Sequence, residues 1–340
     1  MTLDEVIATT NKKAKETIVS VGMKDYNYKR IPFTSPRMNY CTFGGVPVGK
    51  IIEFFGEEHG GKTTSALDIV SNYQVSGDER KVLYVDAENT LDRDWAEKIG
   101  VDVDSLILLQ PTSQSAEDIF QFIEECVETG EIGLWVLDSI GSLLSSAEMD
   151  EKKTYEDKTY GGVSAALTRF SKKIEMLMHK YYCTGIGINQ EREDMNSTWG
   201  GTKTTGGKAW KHHAAVRLRF RRGKFIDEKG NELTRSAENP AGNIVLMEMV
   251  KNKTCPATRR VGQYRINYLT GIDYIKDLVD VSIDLGIIEK TGSWFTILDT
   301  DSGEVLAEKL QGQARVFKEL ETEDLLLERV EQLVEKNMLQ

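Results

Sequence analysis

Cysteine is sparse in this 340-residue chain: Cys41, Cys126, Cys183 and Cys255 lie far apart and form no CxxC pair. That spacing argues against a disulfide framework and a thiolate metal site, and it reads as reduced thiols in a cytosolic protein. His212-His213 is the one histidine pair, with no cysteine or carboxylate cluster beside it to build a metal centre. No apolar run approaches the length of a membrane span. The N-terminal MTLDEVIATTNKKAK lacks the apolar core of a signal peptide, so a cytoplasmic protein with no membrane partner is expected. Internal repeats and low-complexity tracts are missing as well.

What is present is a globular composition, 40% hydrophobic and 29% charged. The length favours a main domain with smaller appendages. A net charge of −11 argues against nucleic acid, but its distribution argues the other way. Residues 195–226 contain no Asp or Glu and carry Lys203, Lys208, Lys211, Arg217, Arg219, Arg221, Arg222 and Lys224. Residues 299–340 hold eleven acids against five bases, so over half of the net charge sits at that end. Because salt screens distant charge, the local basic stretch predicts phosphate contact.

The strongest local signal is residues 56–64, Gly56-Glu57-Glu58-His59-Gly60-Gly61-Lys62-Thr63-Thr64, of the form GxxxxGK[ST]. It follows the apolar run 50–55 and precedes a helical pattern through Ala66, Leu67, Ile69 and Val70, the context this motif requires. Gly56 and Gly61 let backbone N–H groups converge on phosphate oxygens at the positive end of a helix. Lys62 supplies a point charge to the β- and γ-phosphates, and the Thr63 hydroxyl is a Mg²⁺ ligand. The chain therefore binds a nucleoside triphosphate.

Thr2-Leu3-Asp4-Glu5 is a capping box opening a helix through Leu3, Ile7, Ala14 and Ile18. A less regular stretch, 26–43, follows. Apolar runs at 50–55, 82–86, 106–109, 134–138, 184–189, 216–221, 243–251 and 264–268 alternate with helical segments, which predicts a mainly parallel sheet flanked by helices. Val216 to Arg221 alternates apolar with Arg, so that strand is expected to bury one face, as an edge or antiparallel strand would. Beyond Gly271 a helix over 274–285, a short strand pair around Trp294 and a charged helix from about Glu323 predict a small separate α/β domain.

Further residues fit an ATP site. The apolar strand 134–137 ends in Asp138, which can hold Mg²⁺ through water. The strand ending at Asp86 delivers Glu88 to the edge where open sheets bind ligands. A carboxylate there polarises the attacking water, or it is a solvated acid at a strand end; the two readings weigh about equally. Asn189-Gln190 end a third strand and precede a loop, 191–207, in which Trp199 is the one aromatic. Polar strand ends of this kind sense a γ-phosphate and order a neighbouring loop. Trp199 is read as stacking on single-stranded nucleic acid rather than packing under its loop.

Together with Leu91-Asp92, Gly100-Val101-Asp102, Thr204-Thr205-Gly206-Gly207, Val250-Lys251-Asn252-Lys253 and Asp277 through Trp294, these motifs make the chain resemble bacterial RecA recombinases over roughly residues 31–300. The resemblance implies a RecA-type P-loop ATPase core at 31–270, an N-terminal helix and oligomerisation segment at 1–30, and a small C-terminal α/β domain at 271–340. Glu88 becomes the catalytic base and Gln190 the γ-phosphate sensor. Asp92, Trp95 and Tyr268 hold the nucleotide. Lys251 and Lys253 reach across a filament interface to a neighbour's phosphates, a cation in trans being worth about 10³–10⁵ in rate; by themselves they read as a solvated pair before Pro256. Loops 150–162 and 191–207 contact single-stranded DNA, the implied DNA set being Trp199, Lys203, Thr204, Gly206, Gly207, Lys208 and Arg169. Glu248 and Leu246 depart from the basic residues that hold a second DNA.

The implied activity is a DNA-dependent ATPase using ATP and Mg²⁺, filamentous on single-stranded DNA and pairing it with homologous double-stranded DNA. Loader and single-strand-binding proteins are implied partners. The N-terminal helix docks on the adjacent subunit or on its own domain. The competing readings are an ATP-switched strand-binding or annealing protein and a hexameric helicase motor, which the Lys251-Asn252-Lys253 motif fits poorly.

Overall fold

The computed structural model describes residues 2–14, 28–150, 162–193, 202–234, 236–256 and 258–338. Helix α1 (Leu3–Ala14) opens with reciprocal bonds in which the Thr2 N–H donates to Glu5 and the Glu5 N–H to Thr2 Oγ1. The remainder of its expected length, including Ile18, lies outside the described residues. None of its residues is buried.

Strand β1 (Arg30–Ile31) pairs antiparallel with β2 (Val46–Pro47), and between them lies α2 (Pro36–Thr42). Helix α2 falls in the stretch expected to be irregular. Ser35 accepts from the Met38 N–H as its cap, Pro36 pre-sets the first turn, and Phe43 closes it in the left-handed region.

The core then runs β3 (Ile51–Gly56), α3 (Lys62–Gln74), β4 (Lys81–Asp86), α4 (Arg93–Ile99), β5 (Ile107–Leu109), α5 (Ala116–Glu128) and β6 (Ile132–Asp138). It continues with α6 (Gly162–Tyr181), β7 (Thr184–Glu193), β8 (Thr202–Thr204), α7 (Gly207–His213), β9 (Val216–Ile226), β10 (Gly242–Asn252), β11 (Val261–Asn267) and β12 (Gly271–Ile272). One ten-stranded sheet results, in the order β12-β11-β10-β9-β3-β7-β6-β4-β5, with β8 paired to β7. The strands from β9 to β5 are parallel; β10, β11 and β12 extend them antiparallel. Every residue of β3 is buried, as a strand covered on both faces must be. Ile52 and Phe54 join the cluster under α3, while Ile51 joins the cluster under α5, α6 and α7.

Strand β9 buries one face as expected and pairs antiparallel with β10, but it is no edge. It runs parallel to β3 in the middle of the sheet. Its arginine face stays polar because carboxylates from other strands meet it: Arg217 pairs with Glu53, Arg219 with Glu191 and Glu248, and Arg221 with Glu248. The acid-free window is therefore partly neutralised in space.

The C-terminal part comprises α8 (Tyr274–Asp284), β13 (Ile288–Thr291), β14 (Trp294–Leu298), β15 (Val305–Gln311), α9 (Gln313–Thr322) and α10 (Asp324–Met338). Its three strands form an antiparallel sheet with a hydrophobic cluster of its own, one strand and one helix more than expected. It is tied to the core where buried Asp277 of α8 accepts from the Ser35 hydroxyl and, at 3.2 Å, from the Arg37 N–H. Burial pushes the Asp277 carboxyl up to about 7. The folded chain thus holds this proton more tightly than the unfolded chain, and stability from Asp277 is lost as pH rises toward 7. Compared with Asp277→Asn, the wild-type chain should lose melting temperature between pH 4 and pH 7; parallel melting curves for the two would contradict this.

Candidate nucleotide site and interface lysines

Strand β3 ends at Gly56, and the chain turns through residues 57–61 into α3. Gly56 has φ 146°, and a Cβ there would stand 1.9 Å from the Phe220 carbonyl oxygen of β9, so only glycine lets these strands close up beneath the loop. Gly61 caps α3 in the left-handed region, leaving the first N–H groups of the helix facing outward. Lys62 is buried, and its amine donates to the carbonyls of Gly56 (3.3 Å) and Glu57 (2.5 Å). Burial lowers its pKa, against the raising pull of the Asp138 and Glu88 carboxylates. The folded-back amine thus places a buried positive charge at the phosphate loop, within the field of the Asp138 and Glu88 carboxylates.

Asp138, at the end of β6, accepts from the Thr63 hydroxyl at 2.7 Å and the Tyr84 hydroxyl at 3.1 Å. Burial pushes its carboxyl up to about 6, partly offset by the Thr63 bond. Glu88 Oε1 accepts from the Ser139 hydroxyl at 2.5 Å and from Gln190 Nε2 at 3.2 Å. The expected base and the expected sensor thus already touch. Trp95 of α4 donates from its ring N–H to Thr64 Oγ1 at 3.2 Å, and the Tyr268 hydroxyl donates to Asn243 Oδ1 at 3.0 Å.

These residues surround one cleft of about 780 Å³ at the C-terminal edge of the parallel strands, lined by Glu58, His59, Gly60, Gly61, Lys62, Thr63, Thr64, Glu88, Trp95, Asp138, Gln190 and Tyr268. Gly56, buried at the end of β3, and Glu57, exposed at the start of the loop, are not on the lining. Asp92 is not on it either: its carboxylate accepts from the Trp95 N–H at 3.0 Å and caps α4. The lining also includes Thr90, Ser139, Ile188, Arg222, Asn243 and Ile266. Arg222 belonged to the basic window in sequence, yet it opens onto the nucleotide cleft, because β10 is the next strand over and Arg222 stands opposite Val245.

Lys251 and Lys253 are elsewhere. The Lys251 amine donates to the carbonyls of Lys211 (2.6 Å) and His212 (2.9 Å), and the Lys253 amine to that of His212 (3.0 Å), at the C-terminus of α7. Lys251 stands opposite Arg217 while Gly56 stands opposite Phe220, so the lysine is three strand residues, roughly 10 Å, back from the phosphate loop. Neither lysine lines the cleft. Burial, then the charges of Lys253 and Arg217, lower the Lys251 pKa to about 8, a cationic crowding that an incoming anion relieves.

The expected DNA contacts divide. Lys203, Gly207, Lys208 and Arg169 are exposed, whereas Thr204 and Gly206 are buried, Gly206 beside Leu167 of α6. Trp199 lies outside the described residues, as do 151–161 of the first loop and 194–201 of the second. At the described ends of the second loop, β7 pairs antiparallel with β8 from Glu191↔Thr204 to Glu193↔Thr202, the root of a hairpin.

A strand, a glycine-rich loop that opens a helix, a buried lysine and an acid at the end of a neighbouring parallel strand define a P-loop nucleotide-binding ATPase. A sequence model described as the RecA N-terminal domain matches residues 2–273. Among curated proteins, Protein RecA of Fusobacterium nucleatum is 33% identical over 331 residues, covering 96% of this chain and 82% of that protein. Protein RecA of Clostridium novyi is 35% identical over 298 residues (87% and 79%), and that of Thermus thermophilus 34% over 295 residues (86% and 82%). The chain belongs to the RecA family.

Proposed function

We propose that this chain hydrolyses ATP as part of a filament on single-stranded DNA, each cleft being completed by the lysines of the next subunit. Membership of the RecA family makes it a recombinase ATPase that forms nucleoprotein filaments. The observation that carries the trans reading is the strand register, which separates Lys251 and Lys253 from their own phosphate loop by about three residues of strand. Homologous double-stranded DNA is the proposed second partner. The segment 1–30 is the proposed assembly element, with 31–270 as the motor and 271–340 as an appended domain.

In the cleft, Lys62 exchanges its two backbone carbonyls for phosphate oxygens, a charge-assisted and therefore stronger contact. Thr63 and Asp138, two oxygen donors already 2.7 Å apart, fit a hard cation and would hold Mg²⁺, the Asp138 contact passing through water. Bound there, the ion would neutralise charge on the β- and γ-phosphates. Trp95 and Tyr268 bracket the base and sugar. Glu88, fixed by Ser139 and Gln190, accepts the proton of the attacking water. Gln190 shares that carboxylate and immediately precedes the first β7–β8 pair, which supports reading its amide as the link between the γ-phosphate and the DNA hairpin. Glu248, close to Arg219, Arg221 and Arg260, neutralises the face where a second DNA would need cations.

Changing Glu88 to Gln should lower ATP turnover by about 10²–10⁴-fold while leaving nucleotide and DNA affinity in place. Unchanged turnover would remove Glu88 as the base. Exposed Lys208 is expected to touch DNA phosphate; Lys208→Ala should flatten the slope of log affinity against log salt by about 0.7 on single strands. An unaltered slope would remove Lys208 from the interface.

A further inference from the structure

We propose that Glu53 is a positioning residue that, with Asn189 and Arg217, couples the DNA hairpin to the strand carrying Lys251. The inference rests on the filament reading above and adds the route by which DNA reaches the neighbour's active site.

Glu53 sits in the middle of β3 with no exposure at all, at a position where an apolar side chain would satisfy the fold. A buried carboxylate is costly unless each oxygen is occupied. Both are: Asn189 Nδ2 donates to Oε1 at 3.0 Å, and Arg217 Nε donates to Oε2. The Arg217 guanidinium is itself 4.5 Å from the Phe55 ring centroid, which fixes its plane.

Each partner of Glu53 leads to a functional element. Asn189 immediately precedes Gln190, and its Nδ2 also donates to the Thr205 carbonyl at 2.9 Å, just beyond the end of β8. One amide nitrogen therefore ties the buried acid to the root of the DNA hairpin. On the other side, Arg217 stands opposite Lys251 across the β9–β10 ladder. The amine of Lys251 donates to the last carbonyls of α7, a seven-residue helix that starts at Gly207, directly after the hairpin. A shift of the hairpin root thus reaches Lys251 along two paths, through Asn189–Glu53–Arg217 and through α7.

The junction is also not at its best hydrogen-bonding arrangement. Asn189 Oδ1 and Thr204 Oγ1 are buried and have no hydrogen-bond partner among the described residues. Buried orphans of this kind are rare and disfavoured, so a second setting of the hairpin root that paired them would recover those bonds. Strand binding at the hairpin favours that setting, and the lysines follow.

The test is steady-state ATP turnover of the full chain with and without poly(dT), alongside ADP affinity, in wild type, Glu53→Gln and Arg217→Lys. Glu53→Gln should cut the ratio of DNA-stimulated to DNA-free turnover by about tenfold, within the usual span of coupling between sites. DNA-free turnover and ADP affinity should stay within about twofold of wild type, which a general loss of packing would not allow. Arg217→Lys keeps the charge pair and the fold but not the planar fork, and should cut the ratio by about threefold. An unchanged ratio in either folded variant overturns the proposal, as does an equal fall in both rates. A wild-type chain whose turnover ignores DNA overturns the filament reading itself, and the coupling with it.

Discussion

Strand β3 pairs in parallel with β7 on one side and β9 on the other, and this register sets what each end of the sheet can do. At its C-terminal end Gly56 lies level with Gln190 and Phe220, so the phosphate loop, the proposed sensor and the floor of the cleft arrive together. The approach is so close that a single methyl at Gly56 would meet the Phe220 carbonyl. Antiparallel β10 then returns along β9 and delivers Lys251 to the level of Arg217 and Glu53. Within a subunit the phosphate loop and the lysine pair thus lie about three strand residues apart along the sheet. In the proposed filament a neighbouring copy brings its lysines to the loop, which ties hydrolysis to assembly.

The same sheet explains how charge is managed. Glu53, Glu191 and Glu248 come from three strands and converge on the arginines of β9. This spares the sheet an uncompensated cationic stripe, while Lys203 and Lys208 stand exposed at and just beyond β8. In the proposed DNA interface, affinity is concentrated near that hairpin instead of being spread along β9.

Local signals were legible in the sequence; convergent ones were not. The phosphate loop, Asp138, Glu88 and Gln190 sit at the ends of apolar runs, and the runs stand out because a parallel sheet buries both faces. The Arg ladder of β9 read as a DNA surface because its acids lie tens to more than a hundred residues away in sequence. Arg222 and Asn243 on the cleft lining escaped notice for the same reason, since strand neighbours, not chain neighbours, bring them there. Asp92 by resemblance points to a nucleotide contact, but an Asp three residues before Trp95 is equally a helix cap, and in the structure it caps α4. Helix α2 carries a start signal in Ser35-Pro36, but its seven residues give too short a periodic pattern to stand out in the sequence. In the C-terminal part, strand β15 mixes charge with apolar residues and shows mostly exposed positions, so its sequence carries no run to find.

The most direct measurement mixes two inactive variants, Glu88→Gln and Lys251→Ala with Lys253→Ala, and follows ATP turnover on single-stranded DNA. If the lysines act in trans, mixing restores turnover, because a lysine-deficient subunit keeps its own Glu88 and receives lysines from its Glu88→Gln neighbour. Random one-to-one assembly makes about a quarter of the interfaces competent, and turnover should approach that fraction of wild type. If mixed samples stay as inactive as either variant alone, the lysines do not complete a neighbour's site, and the link drawn here between assembly and hydrolysis is wrong.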